Sequence, residues 1–296
     1  MIILNKEKEL IRLETIEEMY EIPGYVSNLD LKGKKLKSLL ADYSFPEKVQ
    51  CGISSCHTAH NNGYIAETTD GPVTNIGQQC GTKYFGVQFR DMSNRFKRDI
   101  TEQENRDFLK EFTRGIQSLE KEILAIKNLG KGVTWYNRNN KIILSKTNLP
   151  AMLVDKLNLM IKTRTNIVTI DVQLSPEERD AIYSSGARPP AFKSEIITTL
   201  SGFNALYPEN NLREKLTIEI EEMLKSFKSF DIDLMTFDEL KTWSKWAREL
   251  EKNLNRVQEI INEALMFFQI DNLSPLRNLL TKTDEKHQFQ AYLNSL

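Results

Sequence analysis

Cys51-Gly52-Ile53-Ser54-Ser55-Cys56-His57-Thr58-Ala59-His60 is the stretch on which the organisation of this chain turns. Together with Cys80 it holds five of the six residues that are cysteine or histidine, and only His287 lies elsewhere. Thiolate and imidazole are the donors that zinc prefers, and small modules supply them from two successive turns. Cys51 and Cys56 can face each other across one tight turn, His60 follows after a short bend, and Cys80 comes from a later element. The predicted ligand set is therefore Cys51, Cys56, His60 and Cys80. His57 is the substitute for His60, although its ring, adjacent to Cys56, has to turn back past the sulfur. Four such donors fill a tetrahedron and leave no position for water, which points to a structural ion. The competing reading is that these are buried thiols packed as small hydrophobes beside surface histidines.

Working outward, the segment between Cys51 and Cys80 is rich in Gly, Asn, Thr and Asp. Its apolar runs Tyr64-Ile65 and Val73-Thr74-Asn75-Ile76 flank Asp70-Gly71, the pattern of a small β-hairpin. Cys80-Gly81 resembles the knuckle of a zinc ribbon or treble-clef finger, in which a Gly after the ligand lets backbone amides approach the sulfur. That resemblance covers about 35 residues and names no family. Phe85, Phe89, Met92, Phe96 and Ile100 then form one stripe of a helix. Arg90, Asn94, Lys97 and Arg98 share a polar face of it. With Lys83 they make a locally cationic surface of the kind that contacts phosphates, and a merely solvated helix face is the alternative.

Upstream, helices are expected over Asn5–Glu21 and Lys34–Tyr43, the second from Leu36, Leu39 and Leu40. Downstream, Thr101 with Glu104 reads as a capping box that opens a heptad seam through Leu109, Phe112, Ile116, Leu119, Ile123 and Ile126. Gly132–Lys146 reads as a hairpin around Asn137–Asn140, whose Trp135, Tyr136, Arg138 and Lys141 could stack bases; a core Trp beside a solvated turn is the competing reading. A helix follows through Leu149, Leu153, Leu157 and Ile161, then a strand over Asn166–Leu174, and a helix opening at Ser175-Pro176-Glu177-Glu178. Beyond the Pro-rich loop Gly186–Pro190 the composition reads as almost purely helical. Leu240, Trp243, Ala247, Leu250, Leu254, Val257, Ile261, Ala264 and Phe268 keep a three-four alternation there.

The fold class expected is mainly α, with a small zinc-binding β-hairpin module near the N-terminus and long heptad helices forming a coiled coil or helical bundle. The expected parts are residues 1–100, a zinc module with flanking helices; 101–186, a mixed middle region; and 187–296, a helical coiled-coil region. The two seams invite antiparallel pairing within the chain, with a homodimer as the rival.

In 296 residues, 40 Lys and Arg stand against 41 Asp and Glu, so the net charge of −1 names no partner and any attraction to nucleic acid must be local. No apolar run is long enough for a membrane span, no secretory leader is legible, and three cysteines are too few for a disulfide framework; a cytoplasmic location is expected. The function expected is a non-enzymatic, zinc-stabilised binding protein that contacts nucleic acid through the helix after Cys80. One alternative is a protein–protein adaptor with a purely structural zinc site. Another is a metal-dependent hydrolase or nuclease using His57 with Glu67 or Asp70; His57, His60, Asn61 and Asn62 resemble the His and Asn of HNH nucleases, but here they are contiguous where such sites are dispersed.

Overall fold

The computed structural model describes residues 2–4 and 10–296. The chain divides into two compact units, each assembled from separated segments: the residues up to Arg114 with Asp231–Ala247, and Gly115–Phe230 with Arg248–Leu296.

The first unit is built on an antiparallel sheet of order β2-β1-β3-β4-β5, from Ile2–Leu4 (β1), Leu10–Arg12 (β2), Leu36–Gln50 (β3), Ala59–Thr68 (β4) and Val73–Ile76 (β5). The expected hairpin over Tyr64–Ile76 is present, with Tyr64 opposite Ile76 and Glu67 opposite Val73. The helix expected over Asn5–Glu21 is much shorter. Residues 5–9 lie outside the described residues, Leu10–Arg12 is a strand, and helix α1 (Ile16–Tyr20) starts under a capping box of Thr15 and Glu18.

The helix expected over Lys34–Tyr43 is replaced by strand β3. Two β-bulges, between Leu36 and Ser38 and between Leu39 and Ala41, explain the misreading. Each bulge inserts a residue and resets the in-out alternation, so Leu36 and Leu39, three apart, enter the same core. A bulged strand thereby imitates helical spacing. Pro46, expected to stop a helix, sits in a third irregularity, where the Asn61 side-chain amide donates to the carbonyls of Phe45 and Pro46 at 3.0 and 2.8 Å.

Two apolar clusters flank this sheet. One gathers Leu36, Leu39, Cys51, Ile53, Tyr64 and Ile76 with Phe89, Phe96 and Ile100; the other gathers Met19, Tyr43, Phe45, Val49 and Ile65. The stripe read from the sequence supplies the first cluster's helical wall. Its helix, α2 (Gln78–Lys127), is broken at Gly86, where φ 60° and ψ −132° leave the helical region. Beyond the break it runs unbroken to Lys127, so the capping box expected at Thr101 does not exist. The Thr101 hydroxyl donates back to the Lys97 carbonyl at 2.9 Å, the mode by which a threonine is accommodated inside a helix, and Glu104 pairs with Arg12.

The hairpin expected over Gly132–Lys146 is also a helix, α3 (Val133–Ile143). Val133, Tyr136, Asn139 and Ile143 are buried at helical spacing, and the Asn139 amide donates to the Trp135 carbonyl one turn back. Burial of that face outweighs the β preference of Val-Thr-Trp-Tyr. Helix α4 (Ala151–Thr163), strand β6 (Ile167–Gln173) and helix α5 (Pro176–Ser184) with its Ser175–Glu178 capping box follow as read. Phe192–Thr199, beyond the Pro-rich loop, is a strand (β7) paired with β6 rather than the helix that composition suggested.

Leu216, Ile220, Leu224 and Phe227 are buried along a helix that begins with a π-helical stretch, Arg213–Glu222, and continues as α6 (Met223–Phe227). The second heptad series lies on α7 (Phe237–Phe267), 31 residues long and opened by a capping box of Thr236 and Glu239. All nine residues of that series, from Leu240 to Phe268, are buried, as are Leu109, Ile116, Ile123 and Ile126 of the first. Within the first unit the two helices touch: Phe112 meets Trp246 edge to face at 5.9 Å, and the Ser244 hydroxyl donates to the Asn105 carbonyl at 3.4 Å. Helices α8 (Ile270–Leu273) and α9 (Thr283–Leu293) complete the second unit.

Candidate metal centre

Strand β3 ends at Gln50, and the loop to β4 carries the first two cysteines. The Cys51 amide donates to the Thr58 carbonyl at 3.1 Å and closes the loop; the Cys56 amide donates to the Ile53 carbonyl at 3.0 Å and tightens its turn. Gly52 is required for the approach to β5. A Cβ there would lie 2.2 Å from the Thr74 hydroxyl, and its amide donates to the Asn75 carbonyl at 2.9 Å. His57 adopts a left-handed conformation, φ 53°, which swings the chain so that the amide and hydroxyl of Thr58 both reach the Cys56 sulfur. Cys51 receives the amides of Ile53 and Gly77.

Cys80 enters from the first turn of α2, and the three sulfurs lie within 4.8 Å of one another. The Cys56 and Cys80 sulfurs are 3.0 Å apart, well outside disulfide bonding distance, and all three thiols are free. Thiolates about 2.3 Å from a tetrahedral ion stand about 3.8 Å from each other, so the sulfurs are close enough to share one ion once the Cys56–Cys80 pair, here at 3.0 Å, opens slightly. These three close cysteines can hold a metal ion. Amide hydrogen bonds to the sulfurs supply the orienting contacts that such ligands use. The electrostatics favour one thiolate first. Hydrogen bonds from Cys80 and then Thr58 bring the Cys56 thiol down to about 7, whereas burial, reinforced by Cys56, pushes Cys80 up to about 12. Burial likewise raises Cys51.

Gly81 has a different role from the one read in the sequence. A Cβ there would fall 2.2 Å from the Phe89 ring, so glycine makes room for the helix to fold back at Gly86; its amide is used by the Gly77 carbonyl at 2.9 Å.

Among the described residues no histidine joins the three sulfurs. The His60 ring stacks on Tyr43 at 5.9 Å, with Nδ1 3.1 Å from the Tyr43 hydroxyl, and Tyr43 belongs to the cluster that does not contain the cysteines. Nε2 of His60 is buried with no hydrogen-bond partner, against Gly77. Burial holds its pKa below the ordinary histidine value. His57, in contrast, is exposed. Glu67 and Asp70, the carboxylates considered for hydrolysis, are engaged by Lys37 with Ser38 and by Lys34 respectively.

Asn75 escaped the sequence reading. It is fully buried, accepts from the Tyr25 hydroxyl at 2.7 Å, and donates to the Tyr43 hydroxyl at 3.1 Å and the Gln50 carbonyl at 2.8 Å. It thus ties the end of β3, from which Cys51 issues, to β5. The legible signal was an asparagine inside the apolar run Val73–Ile76, since a buried carboxamide demands partners.

Of the cationic set, Lys83 lies before the Gly86 break and reaches over the Tyr84 ring, whereas Arg90, Asn94, Lys97 and Arg98 lie beyond it on one continuous helix; all five are exposed. Lys97 sits over the Tyr64 ring at 5.7 Å, and Arg98 over the Phe237 ring at 4.8 Å. Lys97 also moderates Asp42, whose carboxyl is raised chiefly by burial. Arg90 and Asn94 have no side-chain partner among the described residues. Trp135, the aromatic proposed to stack bases, packs instead edge to face on Phe268 at 5.5 Å with Lys131 over its ring.

Comparison with known proteins brings no match: no family model, no curated protein and no solved structure matches this chain. No helix among the described residues is long and apolar enough to cross a membrane.

Proposed function

We propose that this protein is a zinc-stabilised, non-enzymatic binding protein that contacts nucleic acid through the helix following Cys80. The reading is carried by one observation. Thiols from a hairpin loop and from the first turn of α2 converge to within 4.8 Å of one another, and beyond the break at Gly86 the chain resumes as a helix that presents an exposed row of Arg90, Asn94, Lys97 and Arg98. Three thiolates select a soft or borderline ion over magnesium or calcium, and zinc is the ordinary choice where the role is structural. The fourth donor would come from His57, whose exposed ring, next to Cys56, has to turn toward the sulfurs to reach the ion, rather than from His60, held against Tyr43.

The ion fixes helix to sheet, and the guanidinium and ammonium groups then meet phosphate oxygens as a preset row. Purified protein should carry one zinc per chain, and Cys80→Ser should lose it. Log affinity for a DNA duplex should fall linearly with log salt, by about 0.9 per phosphate contact, so Arg90, Lys97 and Arg98 replaced together by Ala should flatten the slope by roughly two to three units without altering zinc content. Less than about half an equivalent of zinc would overturn the metal assignment. Absence of binding at low salt, with zinc present, would overturn the nucleic-acid assignment and leave a protein adaptor with a structural zinc site.

A further inference from the structure

In the second unit, α3 and the turns that precede the π-helical stretch enclose a cleft of about 380 Å³. Asn137, Asn140 and Lys141 occupy one face of α3 at positions i, i+3 and i+4, and all three line it. Leu206 and Tyr207 form an apolar wall, and Arg213 closes the rim from the start of the next helix. The volume is within the range of small-ligand sites, which pair an apolar wall with a few converging polar groups.

The chemistry of those groups is one-sided. Lys141 and Arg213 make no ion pair among the described residues, and no carboxylate lines the cleft. The nearest acidic partner in the same turns, Glu209, is taken by Arg164 in a bidentate pair beside the Tyr207 ring. Among the described residues Asn137 has no side-chain hydrogen-bond partner, and Oδ1 of Asn140 is buried without a donor. An unpaired ammonium and guanidinium call for a phosphate or carboxylate, and free carboxamides call for a ligand that presents donors and acceptors in one plane. A simple anion satisfies only the cations; an apolar metabolite satisfies only the wall.

We propose that this cleft binds a small organic phosphate of the class of a nucleoside monophosphate, its phosphate held by Lys141 and Arg213 and its base edge by Asn137 and Asn140. The site is independent of the zinc module and of the cationic helix. The test is calorimetric titration of the full, zinc-loaded chain with adenosine 5′-monophosphate, using adenosine and inorganic phosphate as partial probes. The monophosphate should bind more tightly than either probe. Lys141→Ala combined with Arg213→Ala should weaken it by roughly 10- to 100-fold, as the loss of charge-assisted contacts requires, with an unchanged melting temperature because both side chains are exposed. Asn137→Ala should weaken the monophosphate and leave inorganic phosphate unaffected. No binding at millimolar monophosphate, equal affinity for monophosphate and inorganic phosphate, or undiminished affinity in a folded double variant would each overturn the proposal. None of these results bears on duplex binding by the Arg90 row.

Discussion

His60 shows how a single ring can be read two ways. Its burial disfavours the imidazolium, so its pKa lies below the ordinary 6.5 while the unfolded chain keeps the ordinary value. Below about 6.5 the unfolded state therefore binds more protons than the folded state. The contribution of the neutral ring is fully present above that pH and is lost progressively as pH falls from there through the lower folded-state pKa. His60→Gln, which keeps a partner for the Tyr43 hydroxyl and cannot titrate, should show a smaller loss of Tm between pH 7 and pH 5 than the parent protein. Identical losses would mean that His60 takes up its proton equally readily in the folded and unfolded states, so that burial does not depress its pKa. At this scale the cysteines were legible and the histidine was not. Three rare thiols clustered in sequence can be recognised by count alone, whereas the choice between His57 and His60 depends on where a strand sends its side chains. Val49 and His60 are paired across β3 and β4, and a register irregularity lies immediately before them. Pro46, within Ser44–Val49, marks an interruption there, but no letter tells on which register the strand resumes.

Among the elements, errors in reading have a common physical form: a tertiary feature changed the period. Bulges in β3 brought Leu36 and Leu39 to one face and gave a strand the spacing of a helix. In α3, a β-favouring sequence became helical because Val133, Tyr136 and Ile143 could be buried together. Long series escape this ambiguity, since a single bulge or a local preference cannot counterfeit several heptads, and the series from Leu240 to Phe268 is buried throughout. Leu254, near its middle, is 3% exposed. Leu254→Asp should therefore cost about 3 kcal/mol or more, seen as a large drop in the denaturant midpoint. An unchanged midpoint would require that the aspartate escape to solvent, and that this part of α7 lacks a tight packing partner in solution.

For the molecule as a whole, the important division is the one that the sequence hides. Compositional change suggested a boundary near Gly186, but compactness follows contacts, and α2 and α7 each begin in one unit and end in the other. The candidate metal ligands are confined to the first unit, where Cys51, Cys56 and Cys80 pack against the cluster that includes Tyr64, Phe89 and Phe96. The second unit has its own buried set, among them Leu153, Leu157, Leu216, Ile220 and Phe289. A bound ion stabilises the folded state only of what must fold to form its site. Chelation should consequently raise amide hydrogen exchange in β3–β5 and in residues 78–100, while α4, β6, β7 and α9 keep their protection. Exchange rising equally in both sets would show that the long helices couple the two units into one cooperative structure. No change in either set, in protein shown to have lost a bound metal, would remove the metal from the forces that hold the first unit together and return its three thiols to the role of packed apolar side chains.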